Sequence, residues 1–272
     1  MVRFWKVGWV GCEGGAKILY TDLHCSTVPG RGLVLARAKE RLLTRVIDPV
    51  PLDLDAGDLL RAAGAGMLRE GVVAALMERC LRLIEPKAVF ALVKVTGVEG
   101  DEVRLEGGRT LRSMVLADML ECGQVIAPYV VTIGPKLESL GPEEARGNGL
   151  RRWILEKVGD YALERASAHL RNRMEDALGG PLSSFSPGGG TSTLFGIEQQ
   201  ETLFHILNPS ESVGVRLTPG YVMVPRKSVS GVLAATRREE VVCQYCPSER
   251  CGSRNKPFSG LYYDLGCEDR VH

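Results

Sequence analysis

The sequence predicts a mixed fold of helices and strands, on three observations. Residues 150–170 carry Leu150, Ile154, Val158, Ala162, Ala166 and Leu170 every fourth position, the stripe of a helix lying on a core. Residues 125–133 are a continuous apolar run ended by Gly134-Pro135. That reads as a buried strand entering the first turn of a helix. After Gly179-Gly180-Pro181, short apolar runs at 213–217, 222–224 and 229–234 are separated by turn residues, as strands are.

The remaining elements follow in chain order. Trp5, Val7, Trp9, Ile18 and Tyr20 alternate on either side of Glu13-Gly14-Gly15, which suggests a strand pair, with a short helix at 33–43 after it. Pro49 and Pro51 mark a boundary, so residues 1–51 are expected to form a β-rich extension. Residues 58–84 hold apolar positions near a 3.6-residue period, interrupted by Gly64, Gly66 and Gly71. Each glycine costs a helix about 1 kcal/mol relative to alanine, so two helical pieces are an alternative to one. Residues 89–95 and 103–105 form a hairpin around 97–101, followed by a helix at 113–120. Residues 198–207 read as a short helix. The main domain is expected to span 52–240, and 241–272 to form a cysteine-rich tail without a core of its own.

Bulk composition narrows the functional class. The chain has 272 residues, 44% apolar and 25% charged, with a net charge of +1. That is ordinary globular composition, and a chain of this length buries a core without cysteine staples. No long basic run invites nucleic acid. No stretch approaches the roughly 20 apolar residues of a membrane helix. Lys6 and Gly8 interrupt the N-terminus, which does not read as a signal peptide. A cytoplasmic location is expected, where the eight cysteines would be thiols or metal ligands.

Cys243, Cys246 and Cys251 form the sharpest constellation, with Cys267 a candidate fourth ligand. Two cysteines three apart place both sulfurs on one metal. Four thiolates suit an iron–sulfur cluster, with zinc as the alternative and redox thiols as the plainer reading. Arg254 and Lys256 would offset thiolate charge, or are solvated surface. Cys12, Cys25, Cys80 and Cys122 lack ligand spacing. Asp160 and Glu164 stand one helical turn apart, either a site for a ligand's ammonium group or a solvated face. Ser228 and Ser230 share one strand face, toward a ligand or the wet side of an edge strand. Thr132, Gly134 and Glu138 sit at a strand-to-helix turn, which reads as a packed cap before an anion site. His169 and His205 have no evident partner.

Two blocks carry a resemblance. One is Val131-Thr132-Ile133-Gly134-Pro135-Lys136-Leu137-Glu138 with the helix from Leu150. The other runs Ser186-Pro187-Gly188, Glu198-Gln199-Gln200, Leu203-Phe204, Val213-Gly214-Val215-Arg216-Leu217-Thr218, and Met223 through Gly231. Their order resembles the activation domain of cobalamin-dependent methionine synthase, over roughly 52–235. The Cys-x-x-Cys-x-x-x-x-Cys tail resembles freestanding relatives found beside corrinoid methyltransferases.

The resemblance implies an α+β fold, a curved antiparallel sheet with flanking helices. It implies docking on a corrinoid protein or cobalamin-dependent methyltransferase, and support for reductive reactivation of oxidised cobalt. A low-potential electron would favour iron–sulfur over zinc in the tail. The alternatives are a capping module for the corrinoid domain, or a methyltransferase component that itself binds corrinoid or S-adenosylmethionine, although no Asp-x-His-x-x-Gly motif is present. The implied ligand region is Pro187, Gly188 and Gly189, with Tyr221, Ser228, Ser230, Asp160 and Glu164. In the family the loop reads Arg-x-x-Pro-Gly-Tyr. Here Ser184 and Gly189 stand in the Arg and Tyr places. S-adenosylmethionine would therefore lack its bidentate carboxylate partner, which argues against the family's binding mode. Gly188, Gly189 and Gly190 offer backbone N–H groups to an anion, or form a plain loop.

Overall fold

The computed structural model describes residues 43–62, 70–139, 149–188, 194–236, 242–246 and 256–259. The expected strand pair and helix ahead of Leu43 lie outside these residues.

Strand order follows from where the turns fall. β1 is Thr44–Ile47, β2 Lys87–Ala91, β3 Val93–Glu99, β4 Glu102–Leu105, β5 Arg109–Arg112 and β6 Val125–Thr132. Later come β7 Leu182–Phe185, β8 Arg216–Leu217, β9 Met223–Val224 and β10 Ser228–Ala235. Among the described residues, eight of these form one sheet in the order β1-β2-β6-β3-β4-β5, with β10 on β6 and β7 on β10. Each pairing is antiparallel. β8 and β9 make a separate small ladder. The sheet takes in Thr44–Ile47, ahead of the expected domain start at 52.

β2 and β3 are one extended segment broken at Leu92, and both lie along the same edge of β6. Pro128 has no N–H to give a ladder, and it falls where β6 passes from β2 to β3. Gly100, at φ 59°, turns β3 into β4, as the expected hairpin requires.

The helices cover both faces of the sheet. They are α1 Ala56–Ala62, α2 Glu70–Leu81, α3 Met114–Met119, α4 Gly149–Leu178, α5 Gln200–Leu207 and α6 Pro209–Ser212. α4 presents Ala166, Leu170 and Met174 to Ala88, Phe90, Tyr129, Val131 and Leu233. Its first half packs Ile154, Val158 and Ala162 against Leu59 and Leu60 of α1 and Val73, Leu76 and Cys80 of α2. The opposite face buries Val89, Val130, Phe185 and Val232 against Leu116 of α3 and Leu203 and Leu207 of α5. The expected α+β class, an antiparallel sheet with flanking helices, is what the structure has.

Some expectations change. The pattern at 58–84 becomes α1 and α2, with 63–69 outside the described residues. Residues 213–217 are not one strand. Gly214 adopts φ 74°, and Val215 N–H donates to Pro209 O at 3.1 Å, which bends the chain before β8. Leu150 is 48% exposed although it begins the α4 stripe. Among the described residues, no helix is long and apolar enough to cross a membrane.

Candidate functional site

The first half of β10 carries Ser228 and Ser230 and meets the turn that ends β6. β6 leaves the sheet at Thr132, and Gly134, at φ 80°, donates its N–H to Thr132 Oγ1 at 3.1 Å. A Cβ at Gly134 would meet Glu85 Cβ at 3.0 Å, so the turn is packed as well as bent. Glu138 Oε1 accepts the Lys227 N–H at 2.7 Å. The Ser228 hydroxyl lies 2.8 Å from Pro225 O and 2.9 Å from Thr132 Oγ1. The N–H of Gly134 and the carboxylate of Glu138 are thus engaged within the protein, as the packed-cap reading anticipates.

Lys227 crosses from this turn to α4. Its Nζ stands 2.6 Å from Asp160 Oδ1 and 2.7 Å from Glu156 Oε2. Its side chain is 16% exposed, against 51% for Glu156 and 57% for Asp160. Gly159 makes the crossing possible: a Cβ there would lie 3.1 Å from Lys227 Cε and 3.1 Å from Leu137 Cδ2. Burial disfavours the ammonium, but the hydrogen bonds it donates to Asp160 and Glu156 outweigh this and hold Lys227 above its ordinary 10.5. The hydrogen bond from Lys227 in turn holds Glu156 below its ordinary 4.5. The ammonium beside Asp160 is thus the protein's own. Glu164 is exposed farther along α4.

Ser230 follows on the same face of the strand. Its Oγ donates to Gln200 Oε1 at 3.4 Å, and Gln200 Nε2 donates to Tyr221 O at 3.3 Å. Gln200 is only 2% exposed. Tyr221 has φ 60°, a strained value for an aromatic residue. The turn around it is held by Tyr221 N–H to Thr218 O at 2.9 Å, Thr218 N–H to Val222 O at 2.9 Å and Val222 N–H to Thr218 Oγ1 at 3.1 Å. Tyr221 is half-buried and Val222 exposed at this tip. Neither Ser228 nor Ser230 lines a wet edge. β10 pairs with β6 from Ser228 onward and with β7 only from Val232, yet both hydroxyls are buried in internal contacts.

The Pro187-Gly188 loop is closed on the protein. Gly188, at φ 82°, donates its N–H to Phe195 O at 2.8 Å, and a Cβ there would collide with Ile197. That N–H does not face an anion. Gly189 and Gly190 lie outside the described residues. Ser184 Oγ lies 3.1 Å from Tyr129 Oη. Gly231 opposite is needed for packing: a Cβ would come 2.6 Å from Phe185 O and 2.9 Å from Tyr129 Oη. The residue in the place of the family's Arg is thus a hydroxyl already engaged in a tight cluster. These residues do not fit adenosylmethionine held by a guanidinium.

Cys243 and Cys246 lie on a turn in which Cys246 N–H donates to Cys243 O at 3.4 Å. Cys12, Cys25, Cys251, Cys267 and Arg254 lie outside the described residues. Among the described residues no three His, Cys, Asp or Glu side chains are grouped for a metal. Cys80 is buried in α2, and Cys122 is exposed with its Sγ 3.3 Å from Thr96 O. His169 is half-buried on α4 and His205 exposed on α5.

Lys227, Glu156, Gln199 and Gln200 are the site residues that were not singled out. Glu156 and Asp160 form a like-charged i,i+4 pair, which repels unless a cation bridges it, and that was the available signal. Gln199 Oε1 accepts the Arg112 N–H at 2.9 Å, and both glutamines are buried.

An open antiparallel sheet with a long helix on one face defines an α+β domain. Residues 111–243 match the family described as vitamin B12 dependent methionine synthase, activation domain, so this stretch carries that family's pattern. Among solved structures, the MetH reactivation domain bound to AdoHcy is similar, with 14% identity, 74% of this chain and 81% of that chain covered, and a TM-score of 0.54. No curated protein sequence matches.

Proposed function

We propose that this chain is an accessory protein that docks on a corrinoid protein or cobalamin-dependent methyltransferase and supports reductive return of its cobalt from Co(II) to the active state. The observation that carries the reading is the activation-domain pattern over residues 111–243, which spans β6, α4 and β10. In a reductive step Co(II) takes up one electron from a low-potential donor supplied by another protein or a chemical reductant. This chain's part is to bind and orient the corrinoid-bearing partner. The Thr218–Val222 turn is the proposed contact, because Tyr221 is held in a strained backbone by Gln200 and Val222 is exposed. Strain of this kind persists where surrounding contacts over-determine it, and such places cluster at binding sites. An AdoHcy-bound neighbour supports a relation to adenosylmethionine. The engaged Ser184 argues that the methyl donor is held differently, or that this chain caps the corrinoid without donating a methyl group.

The test is to titrate the chain into a methionine-synthase-type cobalamin domain carrying Co(II) cobalamin. Calorimetry reads binding, and absorption reads Co(I) formation under Ti(III). A complex with faster Co(I) formation is expected, and Val222→Asp should weaken it roughly tenfold, about 1.4 kcal/mol. Binding with unchanged reduction would favour the capping reading. Absence of any complex would reject both.

A further inference from the structure

We propose that Cys243 and Cys246 form a dithiol that interconverts with an intramolecular disulfide, by thiol–disulfide exchange with an external disulfide. The proposal is independent of corrinoid docking. The local backbone brings the two side chains together. Val242–Gln244 is a short 3-10 turn, and the Cys246 N–H to Cys243 O contact at 3.4 Å repeats its spacing of three residues. Side chains three apart eclipse in such a turn. A turn closed this way holds its end Cα atoms within about 7 Å, and a disulfide spans about 4.4–6.8 Å between Cα atoms. Both residues are present as thiols. Joining them asks for side-chain rotation with little movement of the backbone.

The turn is pinned at both of its central residues. Tyr245 is 2% exposed and belongs to the core cluster of Val93, Leu105 and Phe185. Gln244 O accepts from the Ser259 N–H at 2.8 Å and from Ser259 Oγ at 2.7 Å. The two thiols are therefore held near one another before any oxidant arrives. Their effective concentration is high, and little chain entropy remains to be lost when they join.

Access completes the case. Cys243 and Cys246 are each half-buried, within reach of a disulfide from solvent, whereas Cys80 is 0% exposed. Cys122 is exposed, but the adjoining sequence offers it no second cysteine, and its Sγ lies 3.3 Å from Thr96 O. Among the described cysteines, access and a neighbour three residues away coincide at 243 and 246.

The exchange balances in two steps. One cysteine loses its proton, and its thiolate attacks a sulfur of the external disulfide. A mixed disulfide forms, and the other external sulfur leaves as a thiolate. The second cysteine then loses its proton and attacks the protein sulfur of the mixed disulfide, which expels the remaining external thiolate. The two protons end on the two leaving thiolates. The protein's pair is oxidised by two electrons, and the external disulfide is reduced to two thiols.

In the test, the full chain is equilibrated without oxygen in mixtures of reduced and oxidised glutathione, quenched with acid, alkylated and digested with trypsin. The peptide Glu239–Arg250 contains Cys243 and Cys246 and no other cysteine. Mass spectrometry should find it unalkylated and lighter by two hydrogens, in a mixture roughly tenfold more reducing than the one that first adds glutathione to Cys122. Cys243→Ser and Cys246→Ser should take up glutathione at the remaining cysteine and never lose two hydrogens. Cys251→Ser should leave the transition where it is. A peptide that stays doubly alkylated in every mixture that modifies Cys122 overturns the proposal, whether or not the chain carries zinc or iron. A disulfide from either cysteine to Cys251 overturns it as well. The wild-type map needs no variant, so the test stands if a serine variant fails to fold.

Discussion

Lys227 ties a sheet strand to a helix through three kinds of contact. Its N–H is held by Glu138, its Nζ by Glu156 and Asp160, and its stem lies across Gly159. Lys227→Met keeps the stem and removes the charge. The carboxylates are more than half exposed, so solvent screening limits the loss to about 1 kcal/mol, read by urea denaturation at pH 7. The pH dependence follows from the two shifts. Glu156 is held below 4.5, so its contribution is present above that value and is lost as the pH falls through its folded value. Lys227 is held above 10.5, so its contribution is present below that value and is lost as the pH rises through its folded value. The wild-type advantage over Lys227→Met should be flat through neutral pH and shrink in acid below 4.5 and in alkali above 10.5. An advantage that peaks near pH 7 would contradict this assignment. The sequence leaves Asp160, taken with Glu164, as either a contact for a ligand's ammonium group or a solvated face. Its ion pair with Lys227 was not legible, because 67 residues separate the two and only the fold brings them together.

At the scale of elements, α4 separates what a sequence pattern can tell from what packing decides. Leu150 and Leu170 occupy the same every-fourth-residue stripe, yet Leu170 is 1% exposed and Leu150 is 48% exposed. Leu170→Ala should cost about 2–5 kcal/mol, because it empties a site between α4 and the sheet. Leu150→Ser should change stability by no more than about 0.5 kcal/mol, because its side chain is already about half in solvent. Denaturant midpoints at unchanged slope would check both, and comparable losses would mean that the start of α4 is packed. The helix, the hairpin around Gly100 and the strand at β6 were legible because local periodicity and turn residues specify them. β5 and β7 were not. β5 buries only Leu111 among Arg109, Thr110 and Arg112, and β7 carries two serines between Leu182 and Phe185. Neither has a strong pattern of its own, and each takes its conformation from the strand it pairs with, β4 and β10.

For the molecule as a whole, the question is whether the cysteine-bearing tail belongs to the domain or hangs from it. Composition suggested a segment without a core of its own. Tyr245 answers at a different scale, because it enters the cluster built from α3, α5 and the sheet. The face opposite α4 is therefore completed by a residue from beyond β10. Tyr245→Ala should cost roughly 3 kcal/mol, the order seen for losing a buried aromatic ring. A chain ended after residue 240 should lose at least as much, since it also uncovers the neighbours of that ring. If the shortened chain unfolds at the wild-type urea concentration, the tail is an appendage. If its midpoint falls with that of Tyr245→Ala, the start of the tail is part of the core of the domain itself.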